Sequence, residues 1–201
     1  MKSIEAIILT AGLSSRMPDC NKLLLPFKGS TILNTTLSAF LEADINRIII
    51  VTGFERALIV KSLPADSRVH LVHNSKYKSG MFSSIRAGVQ HLSSDAAGFL
   101  ICPGDMPLLE GVHVTTLIRQ LDTALQKDSK AIVKPFNGSM PGQPTIFSSP
   151  FRHNIATSEN IQSGFQVIAN HESHLVQYQT DDQAFFKDVD TLDTYRLLTI
   201  D

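Results

Sequence analysis

Ile4-Glu5-Ala6-Ile7-Ile8-Leu9-Thr10 is a short apolar run closed by Ala11-Gly12, and Arg47-Ile48-Ile49-Ile50-Val51-Thr52 is a β-branched run closed by Gly53. Near-continuous apolar runs of this length suit strands of a parallel sheet covered on both faces. Between them Ile32, Leu33, Leu37, Phe40 and Leu41 recur at helical spacing. Strand, helix and strand within about 50 residues make a parallel crossover, because parallel neighbours need a connection of a dozen residues or more.

The alternation continues. The pattern predicts a strand at Val69 to His73, a helix from about Ser83 with Ile85, Val89 and Leu92 on one face, and a third buried strand at Gly98 to Cys102. Leu117, Ile118, Leu121 and Leu125 then form a helical stripe. Further on, extended pieces are expected at Ala131 to Lys134 and Thr145 to Phe147, a helix through Ile161, Phe165 and Ile168, and strands at Leu175 to Tyr178 and Phe186 to Val189. A last short helix holds Tyr195, Leu197 and Leu198. No repeat, low-complexity segment or linker interrupts the chain, which points to one α/β domain over residues 1–201, its second half elaborating the same sheet.

With 201 residues, 43% of them apolar, the chain is long enough for a sizeable core. Eighteen Lys plus Arg against 19 Asp plus Glu leave a net charge of −1. That argues against the broad basic footprint of a nucleic-acid or anionic-membrane binder, so an anionic ligand has to be held locally. Two cysteines, Cys20 and Cys102, make no disulfide framework, and no Cys/His cluster has zinc spacing. Glu5 falls where a signal peptide would be apolar, and no apolar run approaches membrane-spanning length. A cytoplasmic protein is expected.

Leu9-Thr10-Ala11-Gly12-Leu13-Ser14-Ser15-Arg16-Met17 leaves the carboxyl end of the first strand and is followed by Lys22 and Leu23-Leu24-Leu25-Pro26. Ligands of open α/β sheets bind at that edge, and Gly12 lets one approach the backbone closely. Small residues leave room while Arg16 and Lys22 bring positive charge, the makings of a triphosphate cradle. The loop is neither a Walker P-loop nor a dinucleotide fingerprint. An ordinary turn with two solvated cations is the competing reading.

Asp105 follows Cys102-Pro103-Gly104 straight from a strand end and is fixed behind by Met106-Pro107. Mg²⁺ bridging to phosphate needs only one or two protein carboxylates, and Asp105 suits that role or that of a helix N-cap. In Lys187-Asp188-Val189-Asp190-Thr191 two acids lie on one side of an extended segment, and either fits as a second metal ligand. Asp190 or Thr191 also suits a cap for the next helix. Asn74-Ser75-Lys76-Tyr77-Lys78-Ser79-Gly80-Met81-Phe82-Ser83-Ser84 offers amide and hydroxyl groups to a base edge or phosphate, or simply caps a helix. Pro141-Gly142-Gln143-Pro144-Thr145 is a rigid polar turn.

Other chemistries fail on spacing. His171-Glu172-Ser173-His174 is one residue short of a metalloprotease pair, and His70 and His73 fall on opposite faces of a strand. No Gly-x-Ser-x-Gly elbow is present.

Taken together, the first loop with Lys22 to Pro26, Gly80-Met81-Phe82-Ser83-Ser84, Gly104-Asp105-Met106-Pro107, Gly142-Gln143-Pro144 and Asp188-Val189-Asp190-Thr191 resemble the MobA-like nucleotidyltransferases along nearly the whole chain. Ala11-Gly12, where the guanylyl enzymes usually have two glycines, is most similar to the molybdenum cofactor cytidylyltransferases. The resemblance implies a Rossmann-like, three-layer α/β domain with a mostly parallel mixed sheet. Residues from about 1–125 would bind nucleotide and Mg²⁺, and those from about 126–201 the acceptor. The implied reaction joins CMP from CTP to a molybdopterin-type phosphate and releases pyrophosphate; a molybdoenzyme receiving the product is a further partner. Alternatives are transfer to a sugar or polyol phosphate, or a non-catalytic nucleotide-binding module of cofactor maturation.

By the same resemblance Thr10, Ala11 and Gly12 line the nucleotide, Arg16 and Lys22 hold phosphates, and Gly80, Ser83 and Ser84 fall at base and ribose. Asp105 binds Mg²⁺ with Asp190, and Arg16, Lys22 and Asp105 carry catalysis. Gly142, Gln143 and Pro144 meet the acceptor. The chain departs from the family pattern in three places. Pro18 replaces a glycine, Gln143 a histidine, and Ile161-Gln162-Ser163-Gly164-Phe165-Gln166 a segment that usually carries an acid and an arginine. The last two fall on the acceptor side.

Overall fold

The computed structural model describes residues 3–17, 20–157 and 163–199. The strands of its main sheet are β1 (Ile4–Thr10), β2 (Arg47–Thr52), β3 (Val69–His73), β4 (Gly98–Pro103), β5 (Ile132–Asn137), β6 (Thr145–Ser148) and β7 (Leu175–Gln179). They lie in the order β7-β5-β6-β4-β1-β2-β3, and Met140–Pro141 pairs with β5 as an eighth short strand. β1 is flanked by parallel neighbours, with Leu9 opposite Val51 of β2 and Ile8 opposite Cys102 of β4. β6 runs antiparallel to both β4 and β5. The sheet is therefore mixed and mostly parallel.

Helices α1 (Ile32–Leu41), α2 (Arg56–Ser62), α3 (Met81–Val89), α4 (Gly111–Ala124), α5 (Phe151–Thr157), α6 (Gly164–Ala169) and α7 (Leu192–Thr199) complete the chain. Alternation along β1 sends successive side chains to opposite faces. Ala6 and Ile8 join Leu33, Leu37 and Phe40 of α1 and Val114, Leu117 and Leu121 of α4 in one core. Ile7 joins Ile85 and Val89 of α3, Phe151 of α5 and Val167 of α6 in the other. Two cores sandwiching one sheet give the three-layer α/β architecture that the sequence pattern leads to.

The functional edge is set by the strand order. The chain goes from β1 to β2 on one side, then returns to β4 on the other, so the loops after β1 and β4 diverge from adjacent strand ends. Such a switch point leaves a crevice at the carboxyl edge. Gly104 lies against β1, its N–H donating to Leu9 O at 3.0 Å, and a Cβ there would stand 3.1 Å from that same oxygen. Without a side chain, Gly104 lets the loop hug β1 and deliver the next residue, Asp105, to the crevice, where a Cβ would force a shift of a few tenths of an ångström.

Two expectations change. Phe186 to Val189 is no strand: a 3₁₀ turn at Gln183–Phe185 precedes irregular backbone. Phe186 N and Lys187 N donate back to Gln183 O, and Val189 N donates to Asp105 O at 2.9 Å, while Phe185 O of the preceding turn accepts from Gln143 N at 2.7 Å. The helix expected from Ser83 begins at Met81, after Gly80 turns the chain at φ 100°, a conformation that glycine adopts readily. α2 and α5 are additions. Of the helix through Ile161, Phe165 and Ile168, α6 holds the latter two, with Ser163 Oγ capping Gln166 N, while Ile161 lies outside the described residues, as do Gln162, Pro18 and Asp19.

Candidate nucleotide and metal site

The loop after β1 is built by its own residues. Met17 is buried and anchors it in the core, and Met17 N donates to Ser14 O at 2.8 Å, closing a turn with Ser14 at φ 51°. Ser14 Oγ accepts from Lys22 N at 3.3 Å, which ties this turn to the short 3₁₀ helix Lys22–Leu24. Arg16 and Lys22 thus reach the same place from two elements.

There they meet acids from the other end of the chain. Lys22 Nζ donates to Asp105 Oδ2 and, at 2.8 Å, to Asp190 Oδ1. Arg16 pairs with Asp190 Oδ2 at 2.7 Å. Asp188 completes a triad with Asp105 and Asp190 whose ligand oxygens all lie within 4.8 Å of one another. The bond from Val189 N to Asp105 O draws this segment across the end of β4. Thr191 caps α7 through Thr194 N at 3.1 Å, and Glu110 precedes α4, so neither Asp190 nor Asp105 is consumed as a cap.

Electrostatics distinguishes the three acids. Burial raises the Asp105 pKa, and Lys22 pulls it down without cancelling that rise. Asp188 is also raised, by burial and then by Asp105 and Asp190. For Asp190 burial acts upward too, but Lys22 and Arg16 outweigh it and hold the carboxyl below its ordinary value. Lys22 responds to both acids: burial lowers its pKa, and Asp105 with Asp190 more than restores it. Three carboxylates face two cations, and Asp105 Oδ1 is buried with no hydrogen-bond partner among the described residues. Two raised carboxylates beside an orphaned acceptor are what a hard divalent cation relieves, and oxygen ligands are those it takes. The residues fit such an ion.

Beside the triad opens a cleft of about 320 Å³. Ala11, Gly12, Ser14, Ser15, Lys22, Gly80, Ser84 and Asp105 line it, together with Tyr77 and Lys78. A Cβ on Gly12 would meet nothing within 4 Å, so that backbone faces open space. Thr10 and Ser83 do other work. Thr10 Oγ1 donates to Val51 O at 2.9 Å inside the sheet. Ser83 Oγ donates to Lys76 O and Gly80 O and accepts from Asn74 Nδ2, which also donates to Ser84 Oγ. These bonds fasten the loop from Asn74 to Gly80 against the start of α3.

A second cleft, of about 670 Å³, adjoins the first, for Leu9, Met81 and Pro103 line both. Gln143 lies in its wall, whereas Gly142 packs under Phe185 and Phe186, where a Cβ would come within 2.6 Å of Phe185 O. Pro144 is not among the lining residues, and Pro141 takes its place. Sequence reasoning left Lys134 unassigned in this wall. It offered either Asp188 or Asp190 as the second acid beside Asp105, from their two-residue spacing, and the structure brings both there.

A family model, the MobA-like NTP transferase domain, matches residues 6–175. The chain belongs to that family. This chain is an enzyme of the nucleotidyltransferase class. The chain is 28% identical over 195 residues to the molybdenum cofactor cytidylyltransferase of Escherichia coli, covering 97% of this chain and 95% of that protein. It is 26% identical over 206 residues to the nicotine blue oxidoreductase of Paenarthrobacter nicotinovorans, at 97% and 96% coverage. Rv0371c from Mycobacterium tuberculosis shares the fold at TM-score 0.81 and 22% identity, covering 98% of this chain and 97% of that one. A second structure of Rv0371c is a complex with manganese. Among the described residues no helix is long and apolar enough to cross a membrane.

Proposed function

We propose that the protein transfers a cytidylyl group from CTP to the phosphate of a molybdopterin-type acceptor and releases pyrophosphate, with Mg²⁺ as its metal, in the cytoplasm. The observation that carries this reading is the triad of Asp105, Asp188 and Asp190 laced to Lys22 and Arg16 at the mouth of a small-residue cleft. Its likeness to the Escherichia coli cytidylyltransferase over nearly the whole of both chains supports the choice of CTP and acceptor.

In this reading Ala11 and Gly12 let the triphosphate lie close to backbone, and Lys22 and Arg16 neutralise its oxygens. Gly80 and Ser84 lie at the base and ribose end, with Thr10 and Ser83 keeping the walls in place. Asp105 and Asp190, joined by Asp188, hold Mg²⁺. When bound, Mg²⁺ supplies charge neutralisation to phosphate oxygens. The acceptor phosphate oxygen forms a bond to the α-phosphorus of CTP, and the bond from that phosphorus to the β-bridging oxygen breaks. A phosphate monoester is already largely ionised at neutral pH, its second pKa being about 6, so no general base is required. Positioning and charge carry the rate. The acceptor enters through the second cleft, where Gln143 stands in place of the family's histidine.

Thermal midpoints with CTP, GTP, UTP and ATP, each with and without Mg²⁺, test the nucleotide half. A ligand at 100 times its Kd stabilises by about 2.7 kcal/mol. The expected result is an upward shift with CTP that requires Mg²⁺ and disappears in Asp105→Ala. No shift with any nucleotide contradicts the reading.

A further inference from the structure

Lys134 carries a charge that the fold itself does not use. On β5 it lies two residues after Ile132, hence on the same face of the sheet. The antiparallel register that sets Ile132 opposite Phe147 and Val133 opposite Ile146 brings Lys134 opposite Thr145 of β6. Lys134 Nζ donates to Thr145 Oγ1 at 2.9 Å, and that hydroxyl lies 3.5 Å from Gln143 Oε1. An ammonium has three donors, and this is the one bond it makes among the described residues. Among the described residues no carboxylate compensates its charge; burial dominates and lowers its pKa to about 8. With 8% of its surface exposed, Lys134 bears a cost that a stable sheet alone would not select.

The amine belongs to the wall of the second cleft, whose other lining is largely apolar and aromatic, including Phe136, Phe147, Phe165 and Ile168. Glu172 is the one carboxylate lining it among the described residues, and it lies exposed. Apolar walls with one buried donor and an adjacent amide suit a flat ring with a polar edge. The rest of its polar lining is Ser139, Ser163, Glu172 and Gln177 beside Thr145, so the preference for a ring rests on Phe136, Phe147 and Phe165, which offer it apolar contact.

We propose that Lys134 is a specificity residue of the acceptor site: its ammonium binds a carbonyl oxygen at the edge of a flat heterocyclic acceptor whose ring faces lie against the apolar walls. The proposal rests on the transfer reading for what the second cleft holds, and it adds which end of the acceptor lies deepest. Thr145 orients the amine, and Gln143 stands beside it to pair with a neighbouring ring nitrogen.

The test uses two pteridines that differ at one edge. 6-Hydroxymethylpterin carries the ring oxygen, and 2,4-diamino-6-hydroxymethylpteridine replaces it with an amine. Their affinities are read by the fluorescence of the ring for wild type and Lys134→Met, with CTP and Mg²⁺ present. Wild type is expected to prefer the oxo compound by about tenfold or more, as for a hydrogen bond to a charged group. Lys134→Met should lose that preference. A preference unchanged in Lys134→Met overturns the proposal, and so does failure of wild type to bind either ring. The thermal shift by CTP with Mg²⁺, read on the same two proteins, separates the two readings. If it is absent while the ring preference depends on Lys134, the transfer reading falls and this one stands. If it is present in both proteins and the preference ignores Lys134, the reverse holds.

Discussion

Lys22 Nζ lies 2.8 Å from Asp190 Oδ1, joining residues 168 positions apart in the chain. Because the same ammonium also donates to Asp105, one cation from the first loop holds together acids from the middle and the end of the sequence. The binding edge is thus organised before any ligand arrives. A cation entering the triad has to share or displace Lys22, which leaves that ammonium available to phosphate.

Asp105→Asn should separate stability from activity. The folded Asp105 pKa is raised, so below saturation the native state holds this proton more tightly than the unfolded chain does. Stability from this group therefore falls as pH climbs from the ordinary 3.8 towards the raised value. Without metal at pH 7, the neutral amide should leave the thermal midpoint equal to wild type or higher. Pyrophosphate release should drop about a hundredfold or more, the scale of losing a charge-positioning group. A midpoint well below wild type would show that the Lys22 pair dominates instead.

Asp190→Asn should behave oppositely. Its pKa is held below 3.8 by Lys22 and Arg16 against the upward effect of burial. Such a group stabilises the fold at pH values above its unfolded pKa, and that contribution disappears as pH falls through the folded value. Urea midpoints should show Asp190→Asn weaker than wild type at pH 7, with the gap closing below pH 3.8. A gap independent of pH would point to packing rather than charge.

Lys134→Met should stabilise the protein at neutral pH. Folded Lys134 has its pKa at about 8 against an ordinary 10.5. The unfolded chain therefore binds more protons across that window, and wild-type stability rises as pH increases through it. At 1.36 kcal/mol per unit the pH 7 gain is on the order of 3 kcal/mol, less the bond to Thr145. Denaturant midpoints at pH 7, 9 and 10.5 should show the gap between variant and wild type shrinking. A constant gap would remove the charge from the explanation.

Gly12→Val should fold normally and bind nucleotide poorly. A Cβ at Gly12 meets nothing within 4 Å, so the added side chain enters the cleft rather than the protein. Thermal unfolding without ligand should match wild type, while the shift given by CTP with Mg²⁺ shrinks or vanishes. A full shift would place the nucleotide away from this loop.

The strands at Ile4, Arg47, Val69 and Gly98 are legible in sequence because each is a compact apolar or β-branched run with a breaker beside it. α2 is not, since Ile59 is its one buried residue and Leu58 is half exposed. Phe186 to Val189 has strand composition, yet its N–H groups go to Gln183 O and Asp105 O, and no local pattern announces that. Within the site, Arg16, Lys22, Asp105 and Asp190 stand out from their spacing after strand ends and their apolar surroundings. Ser83 and Thr10 carry the right chemical groups, but those groups are committed to holding the loop and the sheet. Lys134 is hidden because a lysine at the end of an apolar run marks a boundary until the β5–β6 pairing shows it facing inward.

The most direct measurement is transfer itself, with CTP labelled at the α-phosphorus, Mg²⁺ and molybdopterin, beside a sugar phosphate and a polyol phosphate as competing acceptors. Label should appear on molybdopterin in step with pyrophosphate release, and Asp105→Ala should abolish both. Label on a sugar or polyol phosphate, or none on any acceptor while CTP binds, would contradict the proposed function.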